Sequence, residues 1–311
     1  MKNMAAYPEL HTIRDFIRFA TSQFTEAQLF YGHGTNNPWD EAVALIFYAL
    51  HLSHDLYQTV LEANLTKNEQ TKLIELIHQR VKQRIPVPYL THEGWFAGLS
   101  FYIDERVLIP RSPLAEMIEN HFEPWILSIE AQDILDLCTG SGCIAIACAK
   151  AFPHAHIDAS DISTDALAVA KINVLRHAVE EQVHLYEADL FTALPSKKYD
   201  IIISNPPYVD ALEMATLPPE FLHEPKIGLS GGPQGLDIVI RILQNALSHL
   251  KSHGVLIVEV GNSEAALIKQ FPHLPFTWLS LERSEEGGVF LITAEQLKAH
   301  QEILNENTVT S

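Results

Sequence analysis

The sequence is short of long apolar runs, cysteines and basic residues, and each shortage argues against a class of protein. No apolar stretch among the 311 residues approaches the roughly 20 that a membrane helix needs, and the first residues lack the pattern of a signal peptide. The cysteines are Cys138, Cys143 and Cys148, which lie too close together for a disulfide framework and lack zinc-knuckle spacing. We therefore expect a cytoplasmic protein with no membrane contact and no metal site.

Basic charge is scarce. Lysine and arginine together number 21 against 39 aspartates and glutamates, which gives a formal net charge of −18. Binding to a nucleic-acid backbone requires clustered lysines and arginines, so we expect no direct nucleic-acid binding. Acidity also serves solubility, and it fits a basic partner better than an acidic one.

The first part of the chain has helical periodicity. Capping signals occur at Asn37 with Pro38 and at Thr66 with Glu69, each before a run of apolar residues at helical spacing. These patterns predict a helical domain over residues 1–88, in which the histidines are expected to cap helices or lie at the surface. Residues 89–112 are predicted to form a β-hairpin linker, and residues 301–311 a frayed tail.

From Ile134 onward, apolar strands alternate with helical segments. This alternation predicts an α/β domain over residues 113–300, with a doubly wound and mostly parallel sheet. The last two strands, on either side of residues 285–288, are expected to form an antiparallel hairpin at one edge.

A glycine loop follows the first strand of this domain, with the sequence Asp136-Leu137-Cys138-Thr139-Gly140-Ser141-Gly142. Glycines let the backbone approach a ligand closely, and the following helix directs N–H groups at it. Asp161 ends the next strand, where a carboxylate can accept from both hydroxyls of a ribose. The third strand ends in Ala188-Asp189-Leu190, which places Asp189 where it could accept from an adenine amino group.

Two ligands compete for this loop. Gly140 and Gly142, with Ala145, also satisfy the dinucleotide fingerprint, which is a weak signal alone. Asp136 would repel a pyrophosphate but suits a sulfonium and an ammonium group. The pattern therefore favours S-adenosylmethionine, held by Asp136, Cys138, Thr139, Gly140, Gly142, Asp161, Asp189, Leu190 and Asn205.

A turn of two prolines ends the strand at Ile201–Ser204, in the tetrapeptide Asn205-Pro206-Pro207-Tyr208. The side chain of Asn205 and the backbone of Pro206 offer carbonyl acceptors, and Tyr208 offers a ring. A planar group with an NH₂ fits such a turn, so these four residues are the predicted catalytic residues. A Pro-Pro loop without function is the alternative reading of the tetrapeptide alone.

Together, the aspartate and glycine loop, the two spaced aspartates and the Asn-Pro-Pro-Tyr turn resemble the seven-stranded S-adenosylmethionine-dependent methyltransferases that act on planar amino groups. The N-terminal helices and Leu108-Ile109-Pro110-Arg111 further resemble the glutamine methyltransferases of bacterial translation proteins. This resemblance implies methylation of a glutamine amide, with the helical domain recognising the substrate.

Within that group, the stretches at residues 12–16, 29–35, 217–225 and 259–263 resemble the branch that modifies the third protein of the large ribosomal subunit. The implied partner is a basic ribosomal protein, either free or in an assembling ribosome. The alternatives are a release-factor glutamine, an adenine amino group in nucleic acid, and a non-catalytic ribosomal-protein-binding module. The long segment from Asp210 to Gly235 is predicted to cover the substrate, with Glu224 either contacting the substrate or solvating the loop.

Overall fold

A computed structural model describes residue 7 and residues 9–126, 131–282 and 288–306. The chain divides into two compact units. The N-terminal unit comprises Met1–Gly94 together with Pro218–His223, and the α/β unit comprises Trp95–Leu217 and Glu224–Ser311. The sequence did not predict that residues 218–223 belong to the N-terminal unit.

The N-terminal unit is helical, as predicted. Asn37 caps the second helix, and Thr66 with Glu69 forms a capping box on the fourth. Each cap satisfies backbone N–H groups that have no partner within the helix. The helices are α1 (Ile13–Glu26), α2 (Pro38–Ala49), α3 (Tyr57–Val60), α4 (Lys67–Gln83) and α5 (Val87–Thr91).

A charged cluster lies inside the N-terminal unit. The guanidinium of Arg80 has no exposed surface, and its Nε lies 3.2 Å from Glu41 Oε1 and its Nη1 3.3 Å from Glu220 Oε1. Arg84 Nη1 reaches the same Glu220 oxygen at 3.2 Å, and the Phe30 N–H donates to it at 3.1 Å. The segment 218–223 is therefore anchored among the helices by Glu220.

The predicted surface positions of the histidines are confirmed for His51 and His54, which are exposed. The prediction is wrong for His33, which is buried with its ring 4.6 Å from the ring of Phe221. Phe221 comes from the anchored segment, so sequence reading near His33 could not have found this partner.

The predicted hairpin is confirmed. Its strands β1 (Glu93–Phe96) and β2 (Leu99–Tyr102) form a separate two-stranded sheet. The helix α6 (Leu114–Glu119) follows it.

The sheet of the α/β unit has seven strands in the order β5-β4-β3-β6-β7-β9-β8. All neighbouring pairs are parallel except those of β9, which runs antiparallel to both β7 and β8. The strands are β3 (Asp133–Leu137), β4 (His156–Asp161), β5 (Val183–Glu187), β6 (Tyr199–Ser204), β7 (Leu250–Glu259), β8 (Thr277–Trp278) and β9 (Val289–Thr293).

The last two strands pair as predicted, but β9 lies between β7 and β8. Of their predicted turn, residues 285–287 lie outside the described residues. The helices of this unit are α7 (Cys143–Ala151), α8 (Thr164–Arg176), α9 (Ala211–Thr216), α10 (Asp237–His249), α11 (Glu264–Gln270), α12 (Ala294–Ala299) and α13 (Gln301–Glu306).

The prediction of a frayed tail is wrong for residues 301–306. They form α13, whose Leu304 is fully buried in the core of the α/β unit. The remaining residues 307–311 lie outside the described part of the chain. Within the described ranges, no helix has both the length and the apolar character that crossing a bilayer requires.

The strand order places two loops side by side. Because the order reverses between β3 and β6, a crevice opens beyond the carboxyl ends of these strands. Leu137, the last residue of β3, pairs with Ser204, the last residue of β6. The glycine loop and the Asn-Pro-Pro-Tyr turn therefore start as neighbours.

Candidate active site

A cavity of about 280 Å³ lies at the carboxyl ends of β3 to β6, within the α/β unit. Its walls come from the loops after these strands, from residues 106–112 and from residues 225–230 of the long loop. Of the predicted site residues, the cavity wall includes Cys138, Thr139, Gly140, Asp161, Asp189, Leu190, Asn205 and Pro207. Asp136, Gly142, Pro206 and Tyr208 are not among the residues that line the cavity.

Three residues of the glycine loop have φ angles in the left-handed region. Gly140 and Gly142 have φ angles of 55° and 80°, and Cys138 has a φ of 59°. Gly142 is the N-cap of α7, and a Cβ at this position would lie 3.2 Å from the Cβ of Ala170. Leu190, after β5, also lines the cavity and, like Cys138, is a non-glycine residue with positive φ, at 54°. Such strained residues concentrate at ligand sites, where the surrounding structure holds them.

Asp136 lies beneath the loop with no exposed surface. Its Oδ2 accepts from the Thr139 hydroxyl at 2.5 Å and from the Ala145 N–H at 3.1 Å. Its Oδ1 has no hydrogen-bond donor among the described residues. Burial raises the pKa of Asp136 from 3.8 to about 7. This carboxylate is thus an acceptor that a nearby cation could stabilise.

Asp161 is held at the cavity wall by two backbone donors. Its Oδ2 accepts from the Gly140 N–H and its Oδ1 from the Ser163 N–H, both at 2.9 Å. Burial raises the pKa of this carboxyl above its ordinary value, against the opposing effect of these hydrogen bonds. The bond to Gly140 links the loop after β3 to the end of β4.

Asp189 has a protein partner that sequence reading missed. Its Oδ2 accepts from Arg241 Nη2 of α10 at 2.7 Å, and both side chains are partly exposed. Arg241 also lines the cavity. Asp189 is therefore part of an ion pair at the cavity wall, with its second oxygen available to a ligand group.

The Asn-Pro-Pro-Tyr turn is hydrogen-bonded to residues 229–231, near the end of the long loop of residues 210–235. The Val209 N–H donates to Leu229 O at 2.9 Å, and the Gly231 N–H donates to Val209 O at 2.9 Å. A Cβ on Gly231 would lie only 2.7 Å from the carbonyl oxygen of Pro207, so this close approach requires glycine. The turn and residues 229–231 thus form one unit of structure.

Tyr208 is held by the last residue of β7, Glu259, and by Ser263, which follows this strand. Its hydroxyl donates to Glu259 Oε1 at 2.8 Å, and its backbone oxygen accepts from the Ser263 hydroxyl at 2.8 Å. The negative charge of Glu259, together with burial, raises the pKa of Tyr208 well above its ordinary value. Glu259 could have been found from sequence as a carboxylate ending the apolar strand next to β6.

Glu224 is buried, so the predicted role as a loop-solvating residue is wrong. Its two carboxylate oxygens accept from Arg111 at 2.6 and 2.9 Å, and Oε1 also accepts from the Ile109 N–H at 3.1 Å. This bidentate pair fixes the segment 109–111 to the long loop, whose next residues, 225–230, enter the cavity wall.

Residues 114–232 match the family described as the methyltransferase small domain. Over 294 residues, the chain is 46% identical to the ribosomal protein uL3 glutamine methyltransferase of Francisella tularensis subsp. tularensis, covering 94% of this chain and 93% of that protein. The protein of the same description in Xanthomonas campestris pv. campestris is 48% identical over 303 residues, covering 97% of each.

Among solved structures, the catalytic domain of hMettl16, crystallised with MAT2A 3′UTR hairpin 6, superposes with a TM-score of 0.51. The identity is 16%, and the superposition covers 80% of this chain and 92% of that chain. At this identity the likeness concerns the fold alone.

Proposed function

The chain belongs to the ribosomal protein uL3 glutamine methyltransferases, and on this premise we propose that its cavity binds S-adenosylmethionine beside a glutamine presented by the Asn-Pro-Pro-Tyr turn. Its activity is the transfer of a methyl group to a glutamine of ribosomal protein uL3. The observation that carries the site assignment is the adjacency of β3 and β6, which places the glycine loop next to Asn205.

The residues of the cavity fit S-adenosylmethionine, which supplies an electrophilic methyl group on a sulfonium. The ligand also carries an ammonium, a ribose and an adenine. Asp136 places a buried carboxylate with one unsatisfied oxygen behind the glycine loop, where positive charge is favourable. A pyrophosphate would instead be repelled by this charge.

The other polar residues suit the neutral parts of the ligand. We assign Asp161, which the backbone of Gly140 and Ser163 holds at the cavity wall, to the ribose hydroxyls. We assign the remaining oxygen of Asp189 and the side chain of Leu190 to the adenine. The loop of residues 138–140, which also lines the cavity, is left for the amino-acid end of the ligand.

Asn205 and Pro206 act on the substrate amide. The nitrogen of a glutamine amide is a poor nucleophile because its lone pair is conjugated with the carbonyl. Carbonyl oxygens of Asn205 and Pro206 accept from the two amide hydrogens, and these bonds strengthen as positive charge grows on the nitrogen. The ring of Tyr208 fixes the plane of the amide, so that the nitrogen points at the methyl group.

A strong general base is not required by this chemistry. An amide that carries a fourth substituent on nitrogen is very acidic and loses its proton readily. The role of the turn is therefore to align the amide and to stabilise developing charge. The acidity of the chain, with a net charge of −18, suits a basic ribosomal protein as the substrate.

The assignment is tested by incubating the purified chain with methyl-labelled S-adenosylmethionine and, separately, uL3, a release factor and an RNA hairpin. We expect label in uL3, with the added methyl located on a glutamine by mass spectrometry. Label only in the release factor or only in the RNA would overturn the choice of substrate.

A second arm tests the site itself. Asn205→Ala should bind S-adenosylmethionine by calorimetry but transfer methyl at least about 100-fold more slowly, because one charge-stabilising acceptor is lost. The exposed Asn245→Ala on α10 is the matched control and should transfer at the normal rate. Full activity of Asn205→Ala would remove this residue from the mechanism.

A further inference from the structure

Three hydrogen-bonded side chains meet at the Asn-Pro-Pro-Tyr turn: Ser112 and Glu259, which are buried, and Tyr208 of the turn, which is partly buried. We propose that Glu259 is a positioning residue that sets the orientation and the electron density of the Tyr208 ring for the methyl-transfer step. The proposal rests on the proposed function, in which this ring faces the glutamine amide.

Glu259 ends β7, the strand next to β6, and is 5% exposed. Its two oxygens have different partners. Oε1 accepts from the Tyr208 hydroxyl at 2.8 Å, and Oε2 accepts from the Ser112 hydroxyl at 2.5 Å. With each oxygen bound to a separate segment, the carboxylate cannot rotate without breaking one of these bonds.

Ser112 is itself oriented by the backbone. Its hydroxyl oxygen accepts from the Leu114 N–H at 3.2 Å, which leaves the hydroxyl proton free for Glu259. Its neighbour Arg111 is held by the bidentate pair with Glu224. The segment 111–112 is therefore fixed on both sides and supplies a rigid support for the carboxylate.

The Tyr208 ring has little freedom apart from this bond. A Cβ on Gly261 would lie 2.5 Å from a ring carbon, so the backbone of Gly261 is close against the ring. The Ser263 hydroxyl holds the backbone oxygen of Tyr208 at 2.8 Å. The bond to Glu259 then fixes the remaining end of the side chain, its hydroxyl.

This arrangement also has an electronic consequence. A phenol that donates to a buried carboxylate acquires electron density on its ring, because the shared proton moves charge toward the phenolic oxygen. An electron-rich ring face attracts a cation more strongly. The glutamine nitrogen becomes cationic only as the methyl group is transferred. The attraction to the ring therefore lowers the barrier to methyl transfer and adds little to substrate binding.

A merely structural role for Glu259 predicts a different result, since it would lower stability or substrate binding without acting through the tyrosine. The test is therefore a double-mutant cycle of Glu259→Gln, Tyr208→Phe and the double variant, with kcat and KM for uL3 measured on the full chain. The exposed Glu295→Gln on α12 is the matched control.

We expect Glu259→Gln to lower kcat about tenfold with little change in KM, a size typical of a weakened cation–π contact. In the Tyr208→Phe background the same substitution should lower kcat no further. An equal loss in both backgrounds, a change confined to KM, or full kcat in Tyr208→Phe would overturn the proposal.

Ser112→Ala provides a second route if Glu259→Gln does not fold. It frees one oxygen of the carboxylate while leaving the tyrosine bond, so kcat should fall about threefold, again only when Tyr208 is present. Equal losses with and without Tyr208 would again count against the proposal. The proposed function fails separately, if the unsubstituted chain does not methylate uL3.

Discussion

Replacing Asp136 by an asparagine should make the ligand-free protein more stable relative to the natural chain as pH rises. Burial raises the pKa of Asp136 from 3.8 to about 7 in the folded state. An acid with a raised folded-state pKa contributes stability at low pH, and this contribution is lost as pH rises from the unfolded-state value to the folded-state value. The Asp136→Asn variant lacks this pH dependence, because its amide does not ionise.

The magnitude follows from this pKa. Between about pH 5 and pH 7 the natural chain should lose about 1.4 kcal/mol of unfolding free energy per pH unit from this residue, or about 2–3 kcal/mol in total. Above about pH 7 the difference should become constant. The new amide can also destabilise the variant by a fixed amount, for example through an unpaired N–H. This amount is the same at every pH, so it does not affect how the difference in unfolding free energy between the two proteins changes with pH.

The assay is urea unfolding of both proteins at several pH values from about 5 to 8, without S-adenosylmethionine. The exposed Asp165→Asn, in the first turn of α8, is the matched control for the same exchange at a surface position. A difference in unfolding free energy that stays constant with pH, or that changes in the opposite direction, would refute the reasoning. It would mean that burial does not destabilise the ionised carboxylate of Asp136 more than its hydrogen bonds stabilise it.

Two further predictions concern the buried ion pairs. Arg80→Met should lower the unfolding free energy by about 3–5 kcal/mol, because it leaves the buried Glu41 without its arginine partner and leaves Glu220 with Arg84 as its remaining ion-pair partner. Arg14→Met, which breaks an exposed pair, should cost less than about 0.5 kcal/mol in the same urea experiment. Glu224→Gln should raise KM for uL3 several-fold, because Arg111 no longer fixes the loop that enters the cavity wall; steady-state kinetics would check this, and an unchanged KM would contradict it.

Local signals made much of the fold predictable. The caps at Asn37 and Thr66 are formed by residues three positions apart, so the sequence contains both partners of each bond. The strands of the sheet are apolar runs bounded by turn residues. Because parallel strands end at one edge, the glycine loop and Asn205 could be placed together from the sequence.

Non-local pairings account for what the sequence did not predict. A hairpin pattern cannot decide which of its strands pairs with β7, and β9 takes that place. Asp189 was expected to accept a hydrogen bond from an adenine, and its ion pair with Arg241 on a later helix was not predicted. Glu224 was expected either to contact the substrate or to solvate the loop, and its pairing with Arg111 was not predicted because Arg111 lies far away in sequence. Charge partners across such separations leave no periodic pattern.

The anchored segment Pro218–His223 has a consequence for synthesis on the ribosome. A chain emerges from its N-terminus first, so α1 to α5 are complete long before residue 220 is made. Until then Arg80 has Glu41 but not Glu220, and the N-terminal unit lacks part of its buried charge compensation. The N-terminal unit therefore obtains its complete set of buried ion pairs only after β3 to β6 have been translated.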